Sequence, residues 1–440
     1  MKSSSEQGLQ TYKRFRTRFI QIIAAIGLVY IMSQFLRTAN GVIAKDLVAE
    51  FGLSAEELGI LTGSFFLSFA IVQIPVGILF DRYGPRLVMP SILLFAIVGS
   101  IIFSLSTSFF ELLLARLMMG VGVAPVLMGA LFLFGRWVNS KEYSSWMGRM
   151  IAIGGVGAML SATPLAWVAE SFGWRSAFIG VGLVIALGAV FIWFFVRDHP
   201  PSYGDISCEK RSQKLSQETF WENICGMRDI FKTPNLWPIL GMAFVSYPVT
   251  ITIIGLWGAP WLMDVYGIKQ IDAGNILLWV AIALIVSSIS IGYVEKILNI
   301  RKWLVIVCSM GVGISLSILA IWPKPPLEIS AALLIFIGFL SAYNIIIAGH
   351  GRSLFPDHLA GRGMSLIGIA LMGGPFIMQS ITGLIIGAFD NKGPIGLELS
   401  GEPYRAAYGF LAIIIVLANL LYSRIPDKLP SSGFATNKNR

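Results

Sequence analysis

Residues 77–86 read Gly77-Ile78-Leu79-Phe80-Asp81-Arg82-Tyr83-Gly84-Pro85-Arg86, and they lie between two long apolar runs. A degraded copy returns 215 positions later: Gly77 finds Gly292, Arg86 finds Arg301, and Gly84 finds Asn299. Asparagine is the other residue that tolerates a left-handed backbone. Asp81 becomes Lys296, so only the first copy keeps its acid. The spacing predicts a duplicated helical membrane protein with a charged turn on one face. Such duplicated bundles are built to rock one half against the other.

Working outward, composition supports a membrane solvent. The 440 residues are 55% hydrophobic and 13% charged, and a soluble chain runs near a quarter charged. Runs long enough to cross a bilayer fall at about 19–44, 58–80, 86–107, 111–135, 147–169, 176–196, 236–262, 273–294, 303–322, 327–349, 364–388 and 405–423. The expected fold class is therefore an all-α membrane protein with twelve transmembrane helices in two six-helix repeats. The net charge of +9 invites a nucleic-acid partner, but the distribution of Lys and Arg excludes it. Alternate assignment of the loops puts 25 of the 33 on the side of the N-terminus and 6 on the other, with Arg37 and Arg116 inside spans. This positive-inside bias predicts cytoplasmic termini and a multi-pass protein of the cytoplasmic (inner) membrane. The first apolar run is too long for a cleavable signal and has no small-residue cleavage site.

The one long polar stretch, 197–235, starts at the breaker Pro200-Pro201 and divides the chain. Residues 1–196 are read as an N-terminal six-helix bundle, 197–235 as a cytoplasmic linker loop, and 236–440 as a C-terminal six-helix bundle. Within the linker, 217–231 has the pattern of an amphipathic surface helix. Further repeats support the division. Phe51-Gly52-Leu53 matches Tyr266-Gly267-Ile268 at the same offset of 215, and Gly135-Arg136 and Gly351-Arg352 precede equivalent loops. Cys208, Cys225 and Cys308 have no metal-ligand or disulfide spacing, and no metal or cofactor is expected.

With these residues in view, the chain resembles the major facilitator superfamily along essentially its whole length. Residues 77–86 match every fixed position of that family's signature Gly-x-x-x-Asp-Arg-x-Gly-x-Arg, and Arg116-Leu-Met-Met-Gly120-Val-Gly122 resembles its second signature in the fourth span. The resemblance implies an alternating-access carrier. Gly77, Asp81, Arg82, Gly84, Arg86, Arg116, Gly120 and Arg136 are its candidate gating residues. Independently of the family, Asp81 closes the second span, where a carboxylate opposes the local dipole and needs a partner. Arg86, Arg136 or the free amides at the start of the eleventh span are candidates. The fifth span, Gly154-Gly155-Val-Gly157-Ala-Met-Leu-Ser-Ala-Thr-Pro164, lacks the Gly-Pro pattern of the family's drug–proton antiporters, which counts against multidrug export.

An arginine inside a bilayer is a functional hypothesis by default. Apolar sequence resumes after Arg37, and Tyr30, Ser33 and Gln34 precede it on the same helix face. No acid lies within helical reach, and an unpaired guanidinium in a wet cavity suits a carboxylate or phosphate. The alternative is snorkelling toward headgroups. The stretch Phe35-Leu36-Arg37-Thr38-Ala39-Asn40 also resembles the first helix of the superfamily's organic-anion carriers, which implies an anion-gripping role. Gln73, Tyr247, Asn344 and Gln379 are polar residues well inside spans, and with Arg37, Tyr30 and Gln34 they form the candidate substrate site. Interhelical hydrogen bonding is the competing account of each. Trp257 and Trp261 are read as interfacial anchors, and His350 and His358 as solvated or interfacial.

No Asp, Glu or His falls in the middle of a span, so the coupling ion is open. Glu111 titrates, the substrate carries the proton, or anions are exchanged. The expected function is secondary active transport of a small organic anion, working as a monomer in the lipid bilayer. The alternative is an efflux pump for apolar or cationic compounds. An enzyme is not expected, because paired carboxylates, a His cluster and a nucleotide loop are all missing from the sequence.

Overall fold

The polar caps and glycines of this chain fall where helices must end, and the computed structural model follows them. It describes residues 2–138, 140–200, 235–355, 360–389 and 401–427. The expected surface helix at 217–231 and His358 lie outside the described residues. Among the described residues, twelve helices are long and apolar enough to cross a membrane: α1 (Arg16–Val42), α2 (Ala55–Tyr83), α3 (Pro85–Leu105), α4 (Phe109–Trp137), α5 (Ser145–Phe172), α6 (Trp174–Phe195), α7 (Leu236–Tyr266), α8 (Gln270–Leu298), α9 (Lys302–Ile321), α10 (Leu327–Ser353), α11 (Gly363–Ala388) and α12 (Glu402–Tyr422). The described residues contain no strand. The chain is an all-α, multi-pass membrane protein of two six-helix repeats. The start of α1 and the end of α12 share one face, here the near face, and the α1–α2 and α7–α8 connections lie on the far face.

The duplication is visible in backbone angles. Gly84 (φ 78°, ψ 157°) and Asn299 (φ 52°, ψ 36°) both take positive φ at equivalent near-face turns, although only Asn299 is in the left-handed helical region. Gly52 (φ 63°) and Gly267 (φ 65°) repeat this on the far face. Local chemistry explains the boundaries. Ser54 and Glu57 form a reciprocal capping box that starts α2, with the Ser54 amide 2.9 Å from the Glu57 carboxylate. Pro85 opens α3 at the first position, where its missing N–H costs nothing.

Several spans are broken. α4 divides at Ala124-Pro125 and α10 at Ser341-Ala342, again equivalent places. α5 divides before Thr163-Pro164. α7 contains a π-helical turn, Ile253–Trp257. Freed backbone groups in a bilayer must find partners, and small hydroxyls collect at the breaks. The Thr38 and Ser161 hydroxyls are 2.6 Å apart, and Thr250 donates to Ser341 at 2.7 Å.

The two halves meet along α1–α7, α2–α11 and α5–α8. At the π-helical turn the α1 and α7 backbones touch: a Cβ on Gly41 would lie 2.9 Å from the carbonyl carbon of Gly255. Polar contacts across the seam collect on the far face. Gln270 donates to the Val42 carbonyl (2.8 Å) and the Asp46 carboxylate (2.9 Å), Lys45 pairs with Asp264, and Thr163 donates to Asn275 (2.8 Å). Toward the near face, Val72, Gln73, Ile74 and Gly77 of α2 and residues 368–372 of α11 are half-buried. Elsewhere large apolar side chains such as Phe110, Leu183 and Ile297 are exposed, as a lipid-facing surface requires.

The tryptophans of α7 correct the sequence expectation. Trp257 and Trp261 are both buried. The Trp257 indole donates to Thr382 at 2.8 Å, and Trp261 packs edge-on against Tyr408 and Tyr266. They fill the C-terminal half rather than mark an interface, because both indoles find apolar and hydroxyl neighbours on α11, α12 and α7 itself.

Candidate functional site

Arg37 sits where the apolar helix α1 crosses α7 and faces α11. Its side chain is 5% exposed. One guanidinium nitrogen lies 3.5 Å from the Tyr247 hydroxyl and 3.6 Å from the Met372 sulfur, both in the other half. The guanidinium carbon stands 4.7 Å from the centre of the Phe69 ring, a cation–π contact. Nε is buried with no partner, and no carboxylate pairs with the group among the described residues. Snorkelling therefore does not describe this side chain, since its charged end points across the seam into the bundle.

The other candidates divide around it. Tyr30 lies against Gly154 of α5 and within electrostatic reach of Arg37 and Tyr247. Gln34 is half-buried, and its Oε1 is buried without a partner. Tyr247 also packs edge-on against Phe66. Gln73 lies against Gly368 of α11, toward the near face. Asn344 is half-buried just past the α10 break, with no bond to Arg37. Gln379 is fully buried and both its amide atoms lack partners. It lies seven residues beyond Met372 on α11, about 10 Å toward the far face, with its carbonyl against Gly59. The structure thus brings together Arg37, Tyr30, Gln34 and Tyr247, sets Gln73 and Asn344 on the near side, and places Gln379 in the far-face seam.

Arg116 of α4 is fully buried. It donates to the Leu36 carbonyl at 2.9 Å and the Thr62 carbonyl at 3.4 Å, and stacks on Phe65 at 4.8 Å. The first of these bonds ends on the peptide that leads into Arg37. Gly120, one turn on, lets α4 meet α2 at Phe65 and Ser68, where a Cβ has no room.

At the near-face turn, Asp81 and Arg82 are exposed and Gly77 is half-buried. Asp81 has Arg136 as its charged neighbour but no direct bond or ion pair to it. Arg136 stacks on Phe132 (4.1 Å) with one nitrogen 3.4 Å from His199. The Arg86 backbone amide donates to Asp198 at 2.9 Å, and the same carboxylate occupies the space beside Gly84. Asp198, just after α6, is therefore the acid that touches the signature turn. Its counterpart is Asp427 after α12, which accepts from the Lys302 amide at the start of α9 (3.2 Å). The Trp137 indole donates to the Arg197 carbonyl (3.0 Å). In the second half a comparable bond comes from His350, one residue before Gly351-Arg352, with Nε2 donating to the Pro426 carbonyl (3.2 Å) and Nδ1 accepting from Tyr422 (2.6 Å). His350 is fully buried, which corrects its reading as solvated. These acids carry a sequence signal that spacing exposes: each follows a sixth or twelfth span within a few residues.

On the far face, Asp264 accepts from Tyr404 as well as pairing with Lys45. Burial raises the Asp46 carboxyl above its ordinary value, with Gln270 opposing. Bonds from Arg175 hold Glu50 below the ordinary range.

Comparison with known proteins places this architecture. Residues 26–377 match the model of the Major Facilitator Superfamily. The chain belongs to that superfamily. Among its relatives are a "Probable L-galactonate transporter" of Escherichia coli K12, 26% identical over 60% of this chain, and a "Quinolone resistance transporter" of Acinetobacter baumannii, 25% identical over 59%. The matched stretch covers 57% and 61% of those relatives' lengths, about three fifths of each. A bacterial homologue of the human lysosomal transporter Spinster, solved inward-facing and unoccupied, superposes with a TM-score of 0.73 at 20% identity over 91% of this chain and 95% of its own. The relatives named here are transporters, not enzymes.

Proposed function

We propose that this superfamily transporter is a secondary carrier of a small organic anion, working by alternating access in the cytoplasmic membrane with both termini in the cytoplasm. The observation that carries the reading is Arg37: a buried, acid-free guanidinium in one half whose neighbours, Tyr247 and Met372, belong to the other. An anion seated there touches both halves, so binding and rocking are linked. Seam bonds gathered on the far face favour a state closed to the outside, with the half-buried flanks of α2 and α11 facing the cytoplasm. Asp81, without a direct partner in this state, is free to meet α11 when the near face closes. The name of the galactonate relative agrees with an anion.

The second reading, efflux of apolar or cationic compounds, draws on Phe69, Phe66 and Met372 around the same point and on the quinolone relative. Thermal stability of the purified protein against carboxylates, cations and neutral solutes separates the two, because a ligand of the folded state raises stability by mass action. Stabilisation by carboxylates that weakens at least several-fold in Arg37→Lys and vanishes in Arg37→Ala is expected, since lysine lacks the bidentate fork. Stabilisation by cations or apolar drugs alone contradicts the anion reading.

A further inference from the structure

We infer that the Arg37 site selects a hydroxy-monocarboxylate, with the carboxylate on Arg37 and a hydroxyl donating to Gln34. The inference rests on the reading of Arg37 as the anion's anchor and names the class of anion.

The charge count comes first. The other arginine set back from the ends of the described spans, Arg116, uses two of its nitrogens on the carbonyls of Leu36 and Thr62 and is fully buried. One cation therefore faces the ligand. A second negative group would meet the Phe69 ring and the Met372 thioether, where nothing offsets its desolvation. That disfavours dicarboxylates and phosphate esters.

Two atoms then fix what else the ligand carries. Arg37 Nε is a buried donor without a partner, Gln34 Oε1 is a buried acceptor without one, and the Ser33 hydroxyl, which can serve as either, is unpartnered beside them. Buried polar atoms in native structures are normally satisfied, so a vacant pair of opposite sense is a template. Positions three apart on a helix share a face, with Cβ atoms about 5–6 Å apart. A carboxylate meets the donor. The acceptor needs an N–H or O–H a few ångströms away. An ammonium also donates, but no Asp or Glu lies in the middle of a described span to offset its charge, so burying it is costly. A hydroxyl near the carboxylate fits both atoms without a second charge.

The test uses the full chain in detergent and reads ligand-induced thermal stabilisation as an apparent Kd. Matched pairs differ by hydroxylation: lactate against propionate, and gluconate against hexanoate. Malate, glycerol 3-phosphate and alanine complete the panel. Wild-type protein is expected to bind at least one hydroxy acid about tenfold or more tighter than its deoxy partner, because a polar site rejects an analogue that leaves its buried acceptor unpaired. Gln34→Leu is expected to erase that preference and keep carboxylate binding, whereas Arg37→Ala loses both. Equal binding of hydroxy and deoxy acids by wild type, or a preference that survives Gln34→Leu, overturns the hydroxyl assignment and leaves the anion reading standing. Tightest binding of malate or glycerol 3-phosphate, lost in Arg37→Ala, overturns the single charge. Tightest binding of alanine, lost in Arg37→Ala, overturns the exclusion of an ammonium. If no acid stabilises the protein, or Arg37→Ala binds as wild type does, the anchor itself fails. The comparison on wild type holds even where Gln34→Leu does not fold.

Discussion

The two arginines set back from the span ends do different work, and the difference lies in what their forks meet. Both leave Nε buried without a partner, but Arg37 is surrounded by side chains of both halves. Arg116 meets backbone carbonyls of α1 and α2 within its own half, so it ties the peptide ahead of Arg37 to α4. Those carbonyls already belong to helices, and a buried charge gains little net stability from such contacts. Arg116→Met, of similar length, is therefore expected to fold with a melting temperature close to wild type but to bind carboxylates several-fold more weakly. An unchanged affinity in the thermal titration contradicts the positioning role. Sequence alone singles out both arginines, because any charge in an apolar run stands out. It does not reveal that Tyr247 and Met372 are Arg37's neighbours, since contacts 210 and 335 residues apart depend on how the halves dock.

Element boundaries follow local chemistry and are legible in the residues: the Ser54–Glu57 box, Gly84 and Asn299 at positive φ, and Pro85 at a helix start. The interruptions of α4, α5, α7 and α10 are not. Proline marks two of them, but the π-helical turn of α7 has no prior sequence sign and arises where Gly255 must meet Gly41. The placing of Asp198 and Asp427 just after α6 and α12 is legible, but not their contacts at the starts of α3 and α9, because the amides they accept from lie 112 and 125 residues away. A carboxylate on a first-turn amide stabilises a helix by about 0.5–2 kcal/mol. Asp198→Ala and Asp427→Ala are each expected to lower the melting temperature measurably, with the Asn variants recovering most of the loss. No change in either Ala variant contradicts the paired-clamp account.

Across the whole molecule, the bilayer makes the twelve spans and their duplication readable from composition and spacing, while the state of the seam is a tertiary property. The buried Trp257, Trp261 and His350 show the same limit, since their partners Thr382, Tyr408 and Tyr422 lie on later helices. The far-face seam closes only if α1 and α7 touch at Gly41 and Gly255. Gly41→Leu is expected to insert and fold yet leave the far face open, so that a thiol at Tyr247→Cys, in a background without Cys208, Cys225 and Cys308, reacts with a membrane-impermeant reagent from outside. Protection equal to the Gly41 parent contradicts that seam as the outer gate. The central claim, an anion carried between halves on Arg37, is tested most directly by counterflow in proteoliposomes with the carboxylate that stabilises the protein most. Saturable, trans-stimulated uptake by wild type that is lost in Arg37→Ala is the predicted result. Uptake by Arg37→Ala equal to wild type contradicts it.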